Sequence, residues 1–337
     1  MKKSFGFLPN GKETFLYTIS CGGISAAATD YGATLVNLLV PDRQEQIADV
    51  VLGFEDCNGY RTGRGFLGAT VGRNANRLKG ASFCLNGTEQ HLAPNERGNN
   101  LHSGPDSFNL RLWKVIAHTE NAVTFELFSP DGDQGFPGNA TIHVTYSLDQ
   151  QGGLHILYEA ECDQDTVFNM TNHSYFNLAG HDRVDAAMDQ LLIIPGRFYT
   201  FADASSIPTG ELRSVEGTPM DFRSPKPIGQ DIDVDYESLQ LQGGYDHNWE
   251  ASCNPCAVLE DPVSGRKMEV ITDCPGIQFY AGNFLQADGK GGIQYGLRSG
   301  VALETQFWPD ALHHPDWAQP ITRAGETYRS ETIYRFV

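Results

Sequence analysis

Hydrophobic and polar residues alternate along much of the chain, which is the pattern of β-strands that bury one face. Residues 141–148, TIHVTYSL, place Ile, Val, Tyr and Leu on one face and Thr, His, Thr and Ser on the other. Residues 154–162 alternate in the same way, and the intervening DQQGG predicts a hairpin connection. The pattern also predicts strands over 123–128 and over the C-terminal segment TYRSETIYRFV.

Helical periodicity is almost absent from the sequence. Only residues 184–190 favour two turns of helix, and the alternating strand–helix order of a doubly wound fold is missing. We therefore expect an all-β fold, a large antiparallel β-sandwich with very little helix. No linker, change in composition or repeat of 20–50 residues divides the chain, so we predict one domain over residues 1–337.

Composition adds exclusions to this picture. The 36 glycines and 17 prolines among 337 residues are consistent with many turns between short strands. The chain has 24 Lys and Arg against 42 Asp and Glu, a net charge of −18. Such a chain repels phosphate backbones and anionic lipid, so neither nucleic acid nor a membrane surface is an expected partner.

Nothing in the sequence indicates export or membrane insertion. No apolar run is long enough to span a membrane, and the N-terminal MKKSFGFLPNGKE lacks the apolar region of a signal peptide. The seven cysteines are odd in number and follow no pattern. We therefore expect a cytoplasmic protein with reduced thiols.

Three short motifs suggest chemistries that their surroundings do not support. GRGFLG at 63–68 matches a dinucleotide-binding motif, but the residues before it look turn-like and no clear helix follows. CNPC at 253–256 lacks further metal ligands and is followed by a predicted hairpin. DIDVD at 231–235 lacks the glycine of a calcium loop and is interpreted as a solvated acidic segment.

Two polar segments carry candidate acid and base groups. His173 lies in TNHSYFN, among two amides, two hydroxyls and a phenol. Glu304 lies in VALETQ and shares a strand face with Ala302 and Gln306; in a cleft, loss of water would raise its pKa towards that of a general base. The alternatives are a hydrogen-bonded core histidine and an ordinary solvent-facing glutamate.

Further polar residues complete a set suited to sugar hydroxyls. They are Asn76 and Arg77, His102 in LHSG, Asp246 in YDHN, and Gln278, which shares a predicted strand face with Tyr280. Planar amide, carboxylate and guanidinium groups can bind neighbouring hydroxyls in pairs, and aromatic faces can pack against the C–H side of a sugar ring.

These segments resemble those of the galactose mutarotases, or aldose 1-epimerases. The similar motifs follow in order along nearly the whole chain: GATVGRNANR (68–77), LHSG (101–104), SPDGDQGFPG (129–138), TNHSYFNLAG (171–180), IPTGE (207–211), GYDHN (244–248), GIQFYAGNF (276–284) and LETQFWPDA (303–311). One departure is Ser103, where relatives often carry Gly.

The resemblance implies a large antiparallel β-sandwich with the sugar in an open cleft, no cofactor and no metal. It implies interconversion of the α- and β-anomers of aldohexoses such as galactose and glucose. Position by position, it makes Glu304 the general base, His173 the general acid and His102 a group that assists near the ring oxygen and hydroxyls. Asn76, Arg77, Asp246 and Gln278 match sugar-contacting or supporting positions.

Three other functions were weighed against this one. A hexose-6-phosphate 1-epimerase would need more Arg or Lys near the site than Arg77 alone. A catalytically silent sugar-binding module would be expected to lack His173 or Glu304, and both are present. A glycosidase would use two carboxylates, for which Glu304 and Asp246 could be mistaken. The expected partner is thus a small aldohexose, and the chain is expected to be a monomer or a homodimer.

Overall fold

A computed structural model describes residues 1–337. It contains thirty strands and two short α-helices. The strands in the first half of the chain are β1 (Lys2–Phe7), β2 (Glu13–Cys21), β3 (Ile24–Thr29), β4 (Thr34–Pro41), β5 (Ile47–Asp49), β6 (Ala69–Val71), β7 (Arg77–Leu78), β8 (Ser82–Leu85), β9 (Thr88–His91), β10 (Asn100–Leu101), β11 (Lys114–His118), β12 (Ala122–Ser129), β13 (Ala140–Leu148), β14 (Gly153–Cys162) and β15 (Thr166–Val167). Those in the second half are β16 (Thr171–His173), β17 (Tyr175–Phe176), β18 (Leu191–Ile193), β19 (Phe198–Ala202), β20 (Pro208–Ser214), β21 (Lys226–Pro227), β22 (Asp246–Glu250), β23 (Ala257–Glu260), β24 (Lys267–Thr272), β25 (Gly276–Tyr280), β26 (Ala287–Asp288), β27 (Gln294–Tyr295), β28 (Val301–Gln306), β29 (Ile321–Thr322) and β30 (Thr327–Phe336). The helices are α1 (Cys57–Thr62) and α2 (Glu237–Gln242).

Three antiparallel sheets dominate the architecture. Strands β1 to β5 form a five-stranded sheet in sequential order. A nine-stranded sheet has the order β11-β12-β13-β14-β30-β24-β23-β18-β21, and a six-stranded sheet has the order β17-β28-β25-β22-β19-β20. The all-β sandwich expected from the alternating sequence pattern is confirmed.

The strands predicted from alternation are also confirmed. Strands β12, β13, β14 and β30 contain the four predicted segments, and β13 pairs with β14 as the predicted hairpin. Buried and partly exposed residues alternate without a break along β13. The C-terminal strand β30 lies in the middle of its sheet, between β14 and β24, so the last residues join the two halves of the chain.

The nine-stranded and six-stranded sheets bury a common core. Its largest cluster has 53 buried hydrophobic residues and takes the inward side chains of both sheets, such as Tyr146, Trp249 and Phe279. The Tyr334 hydroxyl of β30 donates a hydrogen bond to the Leu303 carbonyl of β28 at 2.9 Å. The core therefore faces one side of the six-stranded sheet and leaves its other side for polar residues.

The helix expectations were wrong. Residues 184–190 form only one turn of 3₁₀ helix, Ala187–Asp189, because Gln190 is extended and its buried amide donates to Asn177 Oδ1 and accepts from the Leu178 N–H. Helix α1 forms where turn-like residues were expected. It begins after Asp56, whose carboxylate caps the Gly59 N–H at 3.0 Å.

The structure shows the surroundings of the three motifs that were set aside. Segment 63–68 follows helix α1 and precedes strand β6, the reverse of the dinucleotide-binding order. The hairpin predicted after CNPC is confirmed as β23 and β24. In the acidic segment, Asp231 pairs with Lys226 at 2.9 Å and Asp233 with Arg298 at 2.8 Å, so its carboxylates hold neighbouring loops rather than water alone.

A buried lysine ties the N-terminal sheet to the second half of the chain. Lys290 Nζ donates to the Val36 and Val51 carbonyls at 2.7 and 2.8 Å and pairs with Asp49 at 2.7 Å. All three donor positions of the ammonium group are therefore used, as the burial of a charge requires.

We predict that Lys290→Met lowers the free energy of unfolding by about 3 kcal/mol, because it leaves the Asp49 carboxylate buried without its partner. Urea unfolding followed by tryptophan fluorescence measures the loss. Lys267→Met is the control, since Lys267 is partly exposed and lies 3.9 Å from Glu260; it is expected to cost less than about 1 kcal/mol. Equal losses in the two variants would contradict the assignment.

Candidate active site

The polar face of the six-stranded sheet carries the candidate site in rows set by strand register. Strand β25 lies between β22 and β28. In one row Asp246 pairs with Tyr280, which pairs with Ala302; in the next row Asn248 pairs with Gln278, which pairs with Glu304. Directly opposed residues of antiparallel strands point to the same face. Register alone therefore places Asp246, Gln278 and Glu304 together on the side away from the core.

A cavity of about 320 Å³ opens over the first of these rows. Six of the seven predicted site residues line it, namely Asn76, Arg77, His102, His173, Asp246 and Glu304. Gln278 does not line the cavity. It lies behind Asp246 and donates from Nε2 to Asp246 Oδ1 at 2.6 Å, so its geometry is that of a supporting group.

His173 reaches Glu304 from a separate two-stranded sheet. Strand β16 pairs with β6 and packs against β28. It places His173 Nε2 3.6 Å from Glu304 Oε1, with both side chains almost fully buried. The imidazole lies against the rings of Phe66 and Tyr175, with centroids 6.0 and 5.0 Å away. The imidazole of His173 and the carboxyl group of Glu304 are thus neighbours in a buried part of the cavity.

Burial sets the protonation of this pair. Loss of water raises the pKa of Glu304 well above its usual value, Asp246 raises it further, and Arg77 opposes both. Loss of water and the charge of Arg77 lower the pKa of His173 to about 4. Glu304 therefore keeps its proton at pH values where His173 is already neutral, and the pair then carries one proton.

His102 is fixed as a hydrogen-bond donor towards the cavity. Its ring Nδ1 accepts the Asn76 backbone N–H at 3.1 Å, and the backbone N–H of His102 donates to the Asn76 carbonyl at 3.0 Å. Burial, with His173 and Arg77 nearby, lowers the pKa of His102 well below its usual value, so the ring is neutral. Because Nδ1 accepts, the proton of the neutral ring is on Nε2.

Three possible metal ligands, His102, His173 and Glu304, have donor atoms within 4.8 Å of one another. A histidine that binds a metal through Nε2 carries its proton on Nδ1 and usually donates it to an acceptor. His102 Nδ1 instead faces the Asn76 N–H, which is a donor. The residues present therefore do not fit a metal site, and no step below involves one.

The loop that carries His102 explains the one departure from the family motif. His102, Ser103 and Gly104 all have left-handed backbone conformations, with φ of 52°, 65° and 91°. This conformation favours glycine at position 103. Ser103 is accommodated because its hydroxyl accepts the Asn74 N–H at 2.8 Å and donates to the Asn74 carbonyl at 3.0 Å.

Arg77 lies between two carboxylates at the cavity wall. Its Nε and a second nitrogen donate to both oxygens of Glu96 at 2.6 and 3.1 Å, and its remaining nitrogen lies 3.7 Å from Asp246. The backbone around it is held by Asp310, which donates from its N–H to the Arg77 carbonyl and accepts the Lys79 N–H. The guanidinium is therefore part of the cavity and not an exposed surface pair.

Sequence reasoning missed several cavity residues. Glu96 lies in an ordinary polar loop, APNERGNN, and gave no local signal. Phe66, Tyr175, Tyr280 and Phe284 also line the cavity, and Phe284 does so although its side chain is largely exposed. Tyr280 could have been identified, since its predicted face is shared with Gln278.

Comparisons with known proteins agree with this geometry. The aldose 1-epimerase family model matches residues 16–335. Galactose mutarotase of Mus musculus is 40% identical over 339 residues, covering 98% of this chain and 97% of its own. Aldose 1-epimerase of Haemophilus influenzae is 38% identical and covers 97% of each chain. An aldose epimerase homologue from C. elegans, solved by crystallography, superposes with a TM-score of 0.87 at 30% identity, over 96% of this chain and 99% of its own. The chain therefore belongs to the aldose 1-epimerase family of isomerases.

Proposed function

We propose that the chain interconverts the α- and β-anomers of aldohexoses such as D-galactose and D-glucose. The observation that carries this proposal is the buried pair of His173 and Glu304, 3.6 Å apart and open to a polar cavity. The galactose mutarotases among its relatives support the choice of sugar. Ring opening of a hemiacetal needs one proton acceptor and one proton donor, which this pair supplies.

The reactive form is reached by moving one proton within the pair. Transfer from Glu304 to His173 leaves the total charge unchanged and gives a carboxylate beside an imidazolium. Arg77 lies close enough to favour ionised Glu304. No proton has to enter from solvent once the sugar fills the cavity.

Ring opening then follows with balanced protons and electrons. Glu304 removes the proton of the C1 hydroxyl, and the electrons of that O–H bond form the C1 carbonyl. The C1–O5 bond breaks, and O5 takes the bonding pair together with a proton from His173 Nε2. The product is the open-chain aldehyde, with Glu304 protonated and His173 neutral.

Closure on the other face completes the exchange. Rotation of about half a turn about C1–C2 presents the opposite face of the carbonyl to O5. His173 takes back the O5 proton as O5 attacks C1, and Glu304 returns its proton to O1. A positioned acid or base of this kind typically contributes about 10²–10⁴-fold to the rate.

The other predicted residues are assigned to substrate binding. His102 donates from Nε2–H near the ring oxygen and hydroxyls, and Asn76, Arg77 and Asp246 hold hydroxyl groups around the ring. Gln278 acts on the substrate through Asp246, whose carboxylate it orients. This mechanism uses no cofactor.

We predict that Glu304→Gln abolishes anomer exchange while the fold is retained, because an amide cannot accept the O1 proton. Polarimetry of freshly dissolved α-D-galactose, corrected for uncatalysed mutarotation, measures it. Glu269→Gln, on strand β24 outside the cavity, is the matched control and should keep full activity. Near-normal activity of Glu304→Gln would refute the base.

Replacement of His173 by Asn is expected to lower kcat by about 10²–10⁴-fold, because the amide keeps a polar side chain but does not exchange the O5 proton. Anomer-exchange NMR at equilibrium measures the rate without net conversion. His143→Asn is the control, since His143 lies on strand β13 and bonds Glu126 rather than the cavity. A loss of less than tenfold would count against His173 as the acid.

The pH dependence should reflect the lowered pKa of His173. Below about pH 4 a second proton binds to the imidazole of His173. The imidazole can then no longer accept the proton of Glu304, so activity falls as the pH falls. We predict an acid limb of kcat/KM near pH 4, not near 6.5. NMR titration of the His173 ring should show it neutral from pH 5 to 8; titration near 6.5 would contradict this.

Phosphorylated sugars are expected to be poor substrates. Glu96, Asp246 and Glu304 all line the cavity, while Arg77 is already held by Glu96 and Arg97 donates to the Ala204 carbonyl at 2.7 Å. The carboxylates of Glu96 and Asp246 repel a phosphate dianion. We predict a kcat/KM for glucose 6-phosphate at least about tenfold below that for glucose; the reverse order, in parallel assays, would favour a hexose-6-phosphate 1-epimerase.

A further inference from the structure

The sheet face that carries Glu304 continues beyond the cavity as a strip of buried amides. Asn248 and Gln278 share the row of Glu304, and the next row pairs Gly276 with Gln306. Asn248, Gln278 and Gln306 are each at most 3% exposed, and none of them lines the cavity. The strip therefore lies behind Glu304, on the side away from the substrate.

The polar atoms of this strip lack partners to an unusual degree. Fifteen buried side-chain atoms in the protein have no hydrogen-bond partner, and six of them lie on this one face of the three adjacent strands. They are both amide atoms of Asn248, both amide atoms of Gln306, Gln278 Oε1 and Glu304 Oε2. A buried amide without partners is costly, and apolar side chains would fill the same space without that cost.

Space for these groups comes from Gly276. A Cβ atom at this position would lie 2.4 Å from Asn248 Oδ1 and 2.5 Å from the Trp308 ring. Trp308 is itself fixed, since its Nε1 donates to the Pro275 carbonyl at 3.0 Å. Because Gly276 has no side chain, the Asn248 amide and the Trp308 indole can occupy the space above it, next to its partner Gln306.

We propose that Asn248, Gln278 and Gln306 are positioning residues that hold enclosed water on Glu304 Oε2. Such a water would accept from the amide nitrogens of Asn248 or Gln306 and donate to Glu304 Oε2 and Gln278 Oε1, which gives it the two to four partners that buried waters have. Gln278 is suited to the acceptor role because its nitrogen is occupied by Asp246. The inference rests on the proposed role of Glu304 as the base.

This arrangement would stabilise ionised Glu304, because a water that donates to a carboxylate favours its charged form. Loss of the amides would then raise the pKa of Glu304 and leave that of His173 unchanged. Other titratable groups that act on Glu304 stay in place in such variants: Arg77, Asp246, His102, His173, Tyr175, Tyr280 and Tyr334.

The test is Gln306→Leu, which removes the amide and keeps a similar volume. We expect kcat at pH 7 to fall about tenfold. The alkaline limb of the pH profile, where Glu304 loses the proton that the pair shares, should move up by about one pH unit. This is the effect of one lost hydrogen bond to a charged group. KM should stay within about twofold, since Gln306 does not touch the sugar. Gln306→Asn, which keeps an amide, should recover most of the activity.

Gln190→Leu is the matched control, because Gln190 is a fully buried amide that bonds Asn177 away from the cavity. It is expected to lose stability with no change in the pH profile. A Gln306→Leu profile that superposes on the native one would overturn the inference. With Glu304→Gln inactive, that result would leave the proposed function intact, whereas an active Glu304→Gln would refute the function itself.

Should Gln306→Leu fail to fold, the native protein still decides the question. An atomic-resolution crystal structure is expected to show a water within about 3 Å of both Glu304 Oε2 and an amide nitrogen of Asn248 or Gln306. A strip without water would overturn the inference.

Discussion

Removal of Glu304 and His173 from water is the constraint on which the site depends. Burial disfavours the charged form of each group, which raises the pKa of Glu304 and lowers that of His173. The two shifts have opposite directions, so the one proton that the pair holds rests on Glu304 and not on His173. In a solvent-exposed pair with ordinary pKa values of about 4.3 and 6.5, the shared proton would rest on the imidazole and leave the carboxylate ionised.

Strand register places Glu304 in this buried part of the cavity. Strand β28 is central in its sheet, and its neighbours place Gln278 and Asn248 beside Glu304 on the polar face. The opposite face of the same strands, with Phe279 and Leu303, is fixed by the core. A register slip of one residue would exchange the two faces, so core packing and site geometry are specified together.

Much of this could be predicted from the sequence. Alternation predicted β12, β13, β14 and β30, because each buries one face against a single core. Motif resemblance identified the cavity residues from Asn76 to Glu304, though it could not separate Gln278, which bonds Asp246, from the groups that line the cavity.

The remaining features depend on contacts between distant residues. Helix α1 is stabilised by the Asp56 cap and by the burial of Tyr60. The sequence around Gly59 favours a turn, because glycine disfavours helix and the burial of Tyr60 cannot be known from neighbouring residues. The extended form of Gln190 requires Asn177, thirteen residues away. Glu96 lies in a loop and is held at the cavity by its hydrogen bonds from Arg77 on strand β7. Such partners become visible only when the chain is folded.

Net charge and local charge play different parts in this protein. The total of −18 describes the whole chain, while the site is governed by the Arg77 guanidinium between the carboxylates of Glu96 and Asp246. Arg77 lowers the pKa of both Glu304 and His173, so it weakens the hold of the whole pair on its proton. Asp246 raises the pKa of Glu304 and is not among the groups that shift His173, so it favours the proton on Glu304. Because Glu96 and Asp246 flank Arg77, the same ion-paired cluster that forms part of the cavity wall also influences where the shared proton of Glu304 and His173 rests.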